Sequence, residues 1–336
     1  MKTQVTAFLA LITCAVGASA QDVKIGFIDY FGTRQVDVKK VKSAMPVHEG
    51  ETVSLDKLPV WIIDIKSAVE RVTGKEPTDV APGCCDQNGN WYVYIGLPGT
   101  NVQPLHYNVA PKGKIQFPAE IDKLYQQLLD LNRDAVKTQA IEDRTQGYAL
   151  SAYPALRELQ LSIREYAMHH STLIRRVLSE SFEARQRSIA AQFLGYAPQS
   201  REQIQSLVNA SRDPIEAVRN NAVRALGVLA ESSPSIARQI PAEKIILMLN
   251  SDIWTDRNKG SLLLSALTVG RDRKVLALIR AKASDSLIEM ARWHEYGHAY
   301  YSRMILGRIA GIEEKELQKL AYDDVGAIIK SFTSTH

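Results

Sequence analysis

Arg219-Asn-Asn-Ala-Val-Arg-Ala-Leu-Gly227 decides the fold, because the chain repeats its pattern on either side. Arg187-Ser-Ile-Ala-Ala-Gln-Phe-Leu-Gly195 precedes it, Arg257-Asn-Lys-Gly-Ser-Leu-Leu-Leu-Ser265 follows, and a looser fourth copy ends at Leu306-Gly307. The closing Gly or Ser positions lie 32, 38 and 42 residues apart. Helical self-similarity at such a period predicts helix pairs stacked into a solenoid, an architecture that presents an extended binding surface. Ala190, Phe193 and Leu194, or Ala222, Leu226 and Leu229, recur at i, i+3, i+4 or i+7, so each copy buries one helical face. The partner helices fall at 202–208, 242–249 and 274–281.

Working towards the N-terminus, residues 119–180 hold two further helical stripes, Ile121, Leu124, Leu128, Leu131 and Ala135, then Leu156, Leu159, Ile163 and Ala167. Residues 142–150 between them are polar around Gly147 and read as a loop. Residues 99–118 carry Pro104, Pro111 and Pro118 with Gly99 and Gly113, an extended connector with room for one short hairpin, 106–109 against 114–117.

Residues 22–98 have a different texture. Val23-Lys-Ile-Gly-Phe-Ile-Asp-Tyr-Phe31 alternates as a strand ended by Gly32. A helix follows over 36–45, stopped by Pro46, then a turn at Glu49-Gly50-Glu51 and a second helix over 58–72 with Pro59 in its first turn and Gly74 past its end. Residues 80–85 and Trp91-Tyr-Val-Tyr-Ile95 form a hairpin around Asn88-Gly89, and Pro82 predicts that its first strand is an edge. The fold class expected is therefore α+β: a small β-α-α-β-β domain followed by an all-α repeat region over 181–330.

Two family resemblances add to this reading. The strand, helix, helix, strand, strand order over 23–97, with Gly32 closing the first strand and Pro46-Val-His-Glu-Gly50 leading into Glu51-Thr-Val53, resembles the POTRA fold of bacterial envelope assembly proteins. One copy is present and no barrel-like run of strands follows it, so the resemblance implies only a sheet edge able to accept a partner's strand. The repeats resemble HEAT-type repeats, through Asp213-Pro214 at a turn and Arg219 opening the second helix. That resemblance implies a protein–protein interaction role on a concave helical surface.

The ends and the composition bound the function. Lys2, a mostly apolar run over 5–16 and Ala18-Ser19-Ala20 form a signal peptide over 1–20 with cleavage expected before Gln21. Thr13 fits poorly before a lipidated Cys14. No later stretch approaches the ~20 apolar residues of a transmembrane helix, so an exported, soluble protein of the periplasm or extracellular space is expected. With 336 residues, 45% hydrophobic and 23% charged, the chain has a packed core, and a scattered net charge of +4 excludes a nucleic-acid surface. Beyond Cys14, Cys84 and Cys85 are the remaining cysteines; one in the core and one facing out is the favoured reading over a vicinal disulfide, and no Cys or His lies near enough to complete a metal set.

His294-Glu295-Tyr296-Gly297-His298 matches the zincin pattern, in which two His at i and i+4 on one helix face ligate zinc and the Glu acts as general base. The third ligand would be Glu316, with Glu313 and Glu314 as weaker candidates, although all three also suit the N-terminus of the next helix. The motif falls inside the fourth repeat, in register with its helix, which favours a structural role for His294 and His298. No Gly-x-Ser-x-Gly, phosphate loop or spaced Cys cluster is present, and His169-His170 read as surface residues. The leading expectation is an exported scaffold without cofactor, binding an unidentified protein partner in an envelope-associated complex; the alternative is a zinc metallopeptidase.

Overall fold

The structure is a computed structural model that describes residues 22–334, so the expected signal segment lies outside the described residues. The chain opens with β1 (Asp22–Phe31), α1 (Val38–Ala44), β2 (Thr52–Ser54), a 3-10 turn (Leu55–Lys57), α2 (Leu58–Thr73), β3 (Asp79–Cys84) and β4 (Trp91–Gly96). Asp37 caps α1 by accepting from the Lys40 amide at 3.1 Å, and Gly74 closes α2 in the left-handed conformation at φ 74°. The sheet order is β2-β1-β4-β3, with β1 and β4 parallel and the other pairs antiparallel. Pro82 thus sits on an edge strand, where its missing N–H costs no ladder bond.

Two details differ from expectation. Thr52–Ser54 is a short strand rather than the tail of a turn, because extended Thr52 and Val53 pair with Lys24 and Val23 beside the Gly50 turn. Cys84 and Cys85 are joined as a disulfide, with Cys84 exposed and Cys85 half-buried, so neither lies in the core.

A register shift between Ile25 and Phe27 lets β1 serve two faces. Ile25 and Ile28, with Val93 and Ile95 of β4, pack under Val41 of α1 and Trp61, Ile65 and Val69 of α2. Phe27, Phe31, Tyr92 and Tyr94 point the other way and belong to the core of the helical region. The sheet is therefore the middle layer between its own helices and the rest of the chain.

That helical region comprises α3 (Ala119–Lys137), a small hairpin of β5 (Glu142–Asp143) and β6 (Leu150–Ser151), α4 (Pro154–Glu180), α5 (Ala184–Leu194), α6 (Arg201–Ala210), α7 (Glu216–Ser232), α8 (Pro234–Ala237), α9 (Ala242–Ile246) with a 3-10 extension (Leu247–Asn250), α10 (Trp254–Leu267), α11 (Arg273–Ala291), α12 (Tyr296–Ile309), α13 (Glu314–Asp323) and α14 (Val325–Ser334). Helices α5, α7, α10 and α12, the four carrying the repeated motif, pack side by side in chain order. Helices α4 and α6, and then α9 and α11, pack as neighbours in a second row. The small residues at the end of each motif permit the approach: a Cβ on Gly227 would collide with Leu262, and one on Gly307 with Leu317. α4 bends at His170, which is exposed together with His169. Among the described residues no helix is long and apolar enough to cross a membrane.

The motif arginines form a buried ladder. Arg187 donates to both carboxylate oxygens of Asp213 at 2.7 and 3.0 Å, and Arg219 to both of Asp256 at 2.8 and 2.9 Å. Arg257 donates to the Ser251 carbonyl at 2.6 Å and to Glu289 at 3.3 Å. Each arginine thus clamps its own turn to a carboxylate of the next pair. In the fourth copy the arginine position is Ala299, and the ladder ends on Glu289.

Residues 99–118 form no 106–109/114–117 hairpin. They run as a strap along these same turns in reverse order: the Gln103 amide donates to Asn250 at 2.8 Å, Asn108 to Arg212 at 2.7 Å, and Gly113 to Glu180 at 2.8 Å. Phe182 returns a bond to the Gly113 carbonyl at 2.7 Å, and Tyr107 covers Arg219 with 4.4 Å between guanidinium and ring. The helix-pair turns supply backbone partners that the proline-rich segment cannot supply to itself. Gly113 is required there because a side chain would meet the Glu180 backbone.

Candidate functional site

The fourth motif helix meets the sheet, and the His-Glu-x-x-His stretch lies at that junction. Helix α11 ends at Ala291 and α12 begins at Tyr296, so His294 stands in the turn and His298 in the first turn of α12. The expectation of one helix running through both histidines is corrected by two neighbours. Trp293 is buried against Tyr94, with ring centroids 4.9 Å apart, and Glu295 adopts an extended backbone and caps α12 by accepting from the Gly297 amide at 3.3 Å. A capping residue ends the preceding helical phase, which removes the i, i+4 face that the zincin pattern needs.

Each functional candidate then has a structural partner. Asp29 of β1 accepts from the His294 backbone amide at 2.8 Å and bonds its ring Nδ1 at 2.7 Å, while Phe27 stacks on the imidazole at 5.4 Å. That carboxylate raises the pKa of His294. His298 lies among Tyr92, Tyr94 and Trp254, with its Nδ1 2.9 Å from the Tyr94 hydroxyl. Burial pushes His298 down to about 3, with Lys259 adding to the effect, and burial raises Tyr94 far above the usual phenol range. Tyr94 therefore keeps its proton and His298 stays neutral, so the 2.9 Å contact is a hydrogen bond between two uncharged groups. Burial also raises the Glu295 carboxyl.

The junction extends well beyond the motif. Trp254 of α10 stacks on Tyr94 at 4.6 Å, and its amide donates to Asp79 of β3 at 2.8 Å, a carboxyl that burial pushes up to about 6. Glu289, the end of the arginine ladder, accepts from the amides of Gly32 and Thr33 at 3.0 and 2.7 Å and from the Thr33 hydroxyl. One carboxylate thus terminates the ladder and seats the end of β1. Arg257 lies over Phe31 at 4.8 Å, and burial lowers its pKa to about 10.

The proposed third ligands lie elsewhere in the fourth and fifth helix pairs. Glu316 is exposed on α13, Glu313 holds the N-cap position of that helix, and Glu314 accepts from Arg308 at 2.6 and 3.2 Å and from Arg271 at 3.2 Å. Among the described residues no three His, Cys, Asp or Glu side chains are grouped so as to hold a metal ion. Asp29, Tyr94, Trp254 and Glu289 were not singled out from sequence. Asp29 alone left a signal, as a carboxylate in the middle of an otherwise apolar strand.

Two open grooves run between second-row helices. One of about 360 Å³ lies between α4 and α6, lined by Arg175, Arg176 and Glu202 among others, and one of about 480 Å³ lies between α6 and α9, lined by Arg201 and Lys244. Gln205 borders both.

No family model and no curated protein matches the chain. Among solved structures, a crystal structure of an engineered protein from the Northeast Structural Genomics Consortium is similar at 16% identity and a TM-score of 0.39, over 53% of this chain and 90% of that one.

Proposed function

We propose that the chain is an exported, non-enzymatic scaffold of the bacterial periplasm or cell envelope, built from a POTRA-like module on a HEAT-like solenoid, that binds a protein partner. The observation that carries this reading is the arginine ladder, which ties consecutive helix pairs to one another and then to the sheet through Glu289. Such a frame suits a surface held rigid for recognition. The engagement of His294 by Asp29 and of His298 by Tyr94 supports a non-enzymatic role, because both side chains serve the junction.

The binding surface we propose is not the concave one that the sequence led us to expect. The row formed by α5, α7, α10 and α12, which would be the inner face if the stack is HEAT-like, carries other parts of the chain. α3 reaches α5 and α7 through Tyr125, Ser188 and Asn221, the β5–β6 hairpin reaches α7 through Glu142 and Arg224, and the sheet covers α10 and α12. The two neighbouring grooves along α4, α6 and α9, with Arg175, Arg201 and Lys244, are the surface we assign to an acidic segment of the partner.

The test is capture from an envelope extract with residues 22–336 immobilised, in parallel with an Arg175→Glu/Arg201→Glu variant and a Lys319→Glu control on α13. A defined protein retained by the wild type and the control and lost with the double variant is the expected result. Retention of the same proteins by all three, or of none, would sink the proposal.

A further inference from the structure

Between α3 and the motif helices lies a cavity of about 250 Å³ lined by eleven residues, of which Leu128 and Leu129 alone lack a polar side-chain atom. α3 contributes Tyr125 and Asn132, α5 contributes Gln192, α7 contributes Asn221 and Arg224, and α10 contributes Lys259. A space between packed helices is ordinarily filled by apolar side chains. Here the repeat places Asn221 and Lys259 where its first copy has Ile189, and Gln192 and Arg224 where later copies have Leu262 and Met304, and the space they leave suits a small polar molecule.

The charges around the cavity leave one cation without a partner. Arg224 is paired with Glu142, and Arg144 with Glu142 at 3.0 Å and Glu231 at 3.4 Å. Lys259 makes no hydrogen bond or ion pair among the described residues, and neither does the Gln192 side-chain amide. Three cations thus face two carboxylates, and the surplus positive charge is on Lys259. Burial, with Arg224 and Arg144 nearby, pushes the Lys259 ammonium down to about 8, and the Glu142 carboxylate offsets only part of this.

We propose that this cavity binds a small organic monocarboxylate, its carboxylate paired with Lys259 and its hydroxyl or amide groups meeting Gln192 and Asn132. The volume lies just below the ~300–1,000 Å³ of ordinary ligand pockets, which limits the occupant to a small molecule. A single surplus charge matches a carboxylate better than a phosphate monoester, which carries about −1.5 to −2 at neutral pH. The cavity shares no lining residue with the grooves assigned to the scaffold's partner.

Reductive methylation of the lysines with ¹³C-formaldehyde gives each one an NMR signal, and Lys259→Arg identifies the signal of Lys259. Sodium acetate and sodium phosphate are titrated separately at constant ionic strength. The expected result is a saturable shift of the Lys259 signal by acetate at millimolar concentration while other lysines stay fixed, with the midpoint raised at least threefold in Gln192→Leu. A Lys259 signal that does not move, or that moves in proportion with the surface lysines, overturns the site. So does a Lys259 that resists methylation in the folded protein, because the cavity would then be closed to solutes. A shift at lower concentration by phosphate than by acetate overturns the carboxylate assignment.

Discussion

Asp256→Asn separates a buried ladder from a decorative one. The side chains of Arg219 and Asp256 are 2% and 0% exposed and share two hydrogen bonds of 2.8 and 2.9 Å, and Asp256 also accepts from the Ser251 hydroxyl at 2.9 Å. The substitution preserves shape but leaves a buried guanidinium facing a neutral amide. Breaking a buried pair in this way costs about 3–5 kcal/mol, a fall in Tm on the order of 5–10 °C for a chain of this size. Replacing both partners, as Arg219→Met with Asp256→Leu, removes the uncompensated charge and returns most of that loss. The exposed Arg176–Glu180 pair, at 58% and 46% exposure, is the control, and Arg176→Ala should leave the denaturation midpoint close to that of the wild type. Urea denaturation followed by tryptophan fluorescence reads the wild type and all three variants, because Trp254 and Trp293 report on the helical core and the junction together. An Asp256→Asn variant no less stable than Arg176→Ala would refute the reasoning, as would a double variant worse than the single.

Three further outcomes follow from the same contacts. Gly113→Ala drives a methyl into the Glu180 backbone and should lower stability by about 1–3 kcal/mol while raising amide exchange across residues 103–113, seen by hydrogen–deuterium exchange. His298 has a folded pKa of about 3 against an ordinary 6.5, so the unfolded chain binds the extra proton. Its contribution is complete above pH 6.5 and is lost as pH falls towards 3; His298→Phe should flatten the stability curve in that window, measured by denaturation at stepped pH. His294 runs the opposite way, since Asp29 raises its folded pKa. Its contribution is complete below pH 6.5 and is lost as pH rises through that raised value, and Asp29→Asn should abolish this alkaline loss.

The helical part of the fold was legible because its signal is repetitive. Arg219 and Asp213 could be marked from one line of sequence, and the small residues closing each motif announced close helix packing. The partner of Arg219 could not be marked, since Asp256 lies in the next copy and its pairing depends on how the pairs stack. The strap was illegible for a related reason: Gln103, Asn108 and Gly113 bond to backbone carbonyls, which carry no sequence signature. At the junction the pentapeptide over 294–298 was conspicuous, but its meaning depended on where α11 stops. A buried Trp293 and a capping Glu295 decide that point, and both act through contacts with residues some 200 or more positions away or through a local backbone conformation. Tyr94 remained hidden because a strand's second face reads as core until something docks on it, and Asp29, though conspicuous as a lone carboxylate, carried no sign of its partner.

Metal content tests the central claim most directly, that residues 294–298 join the sheet to the helices. The full chain is incubated with zinc, dialysed against buffer and assayed by elemental analysis beside His298→Ala. The account predicts substoichiometric zinc that is the same in both proteins, and a His298→Ala protein whose sheet exchanges amides faster. One zinc per chain, held by the wild type and lost in His298→Ala, would contradict it.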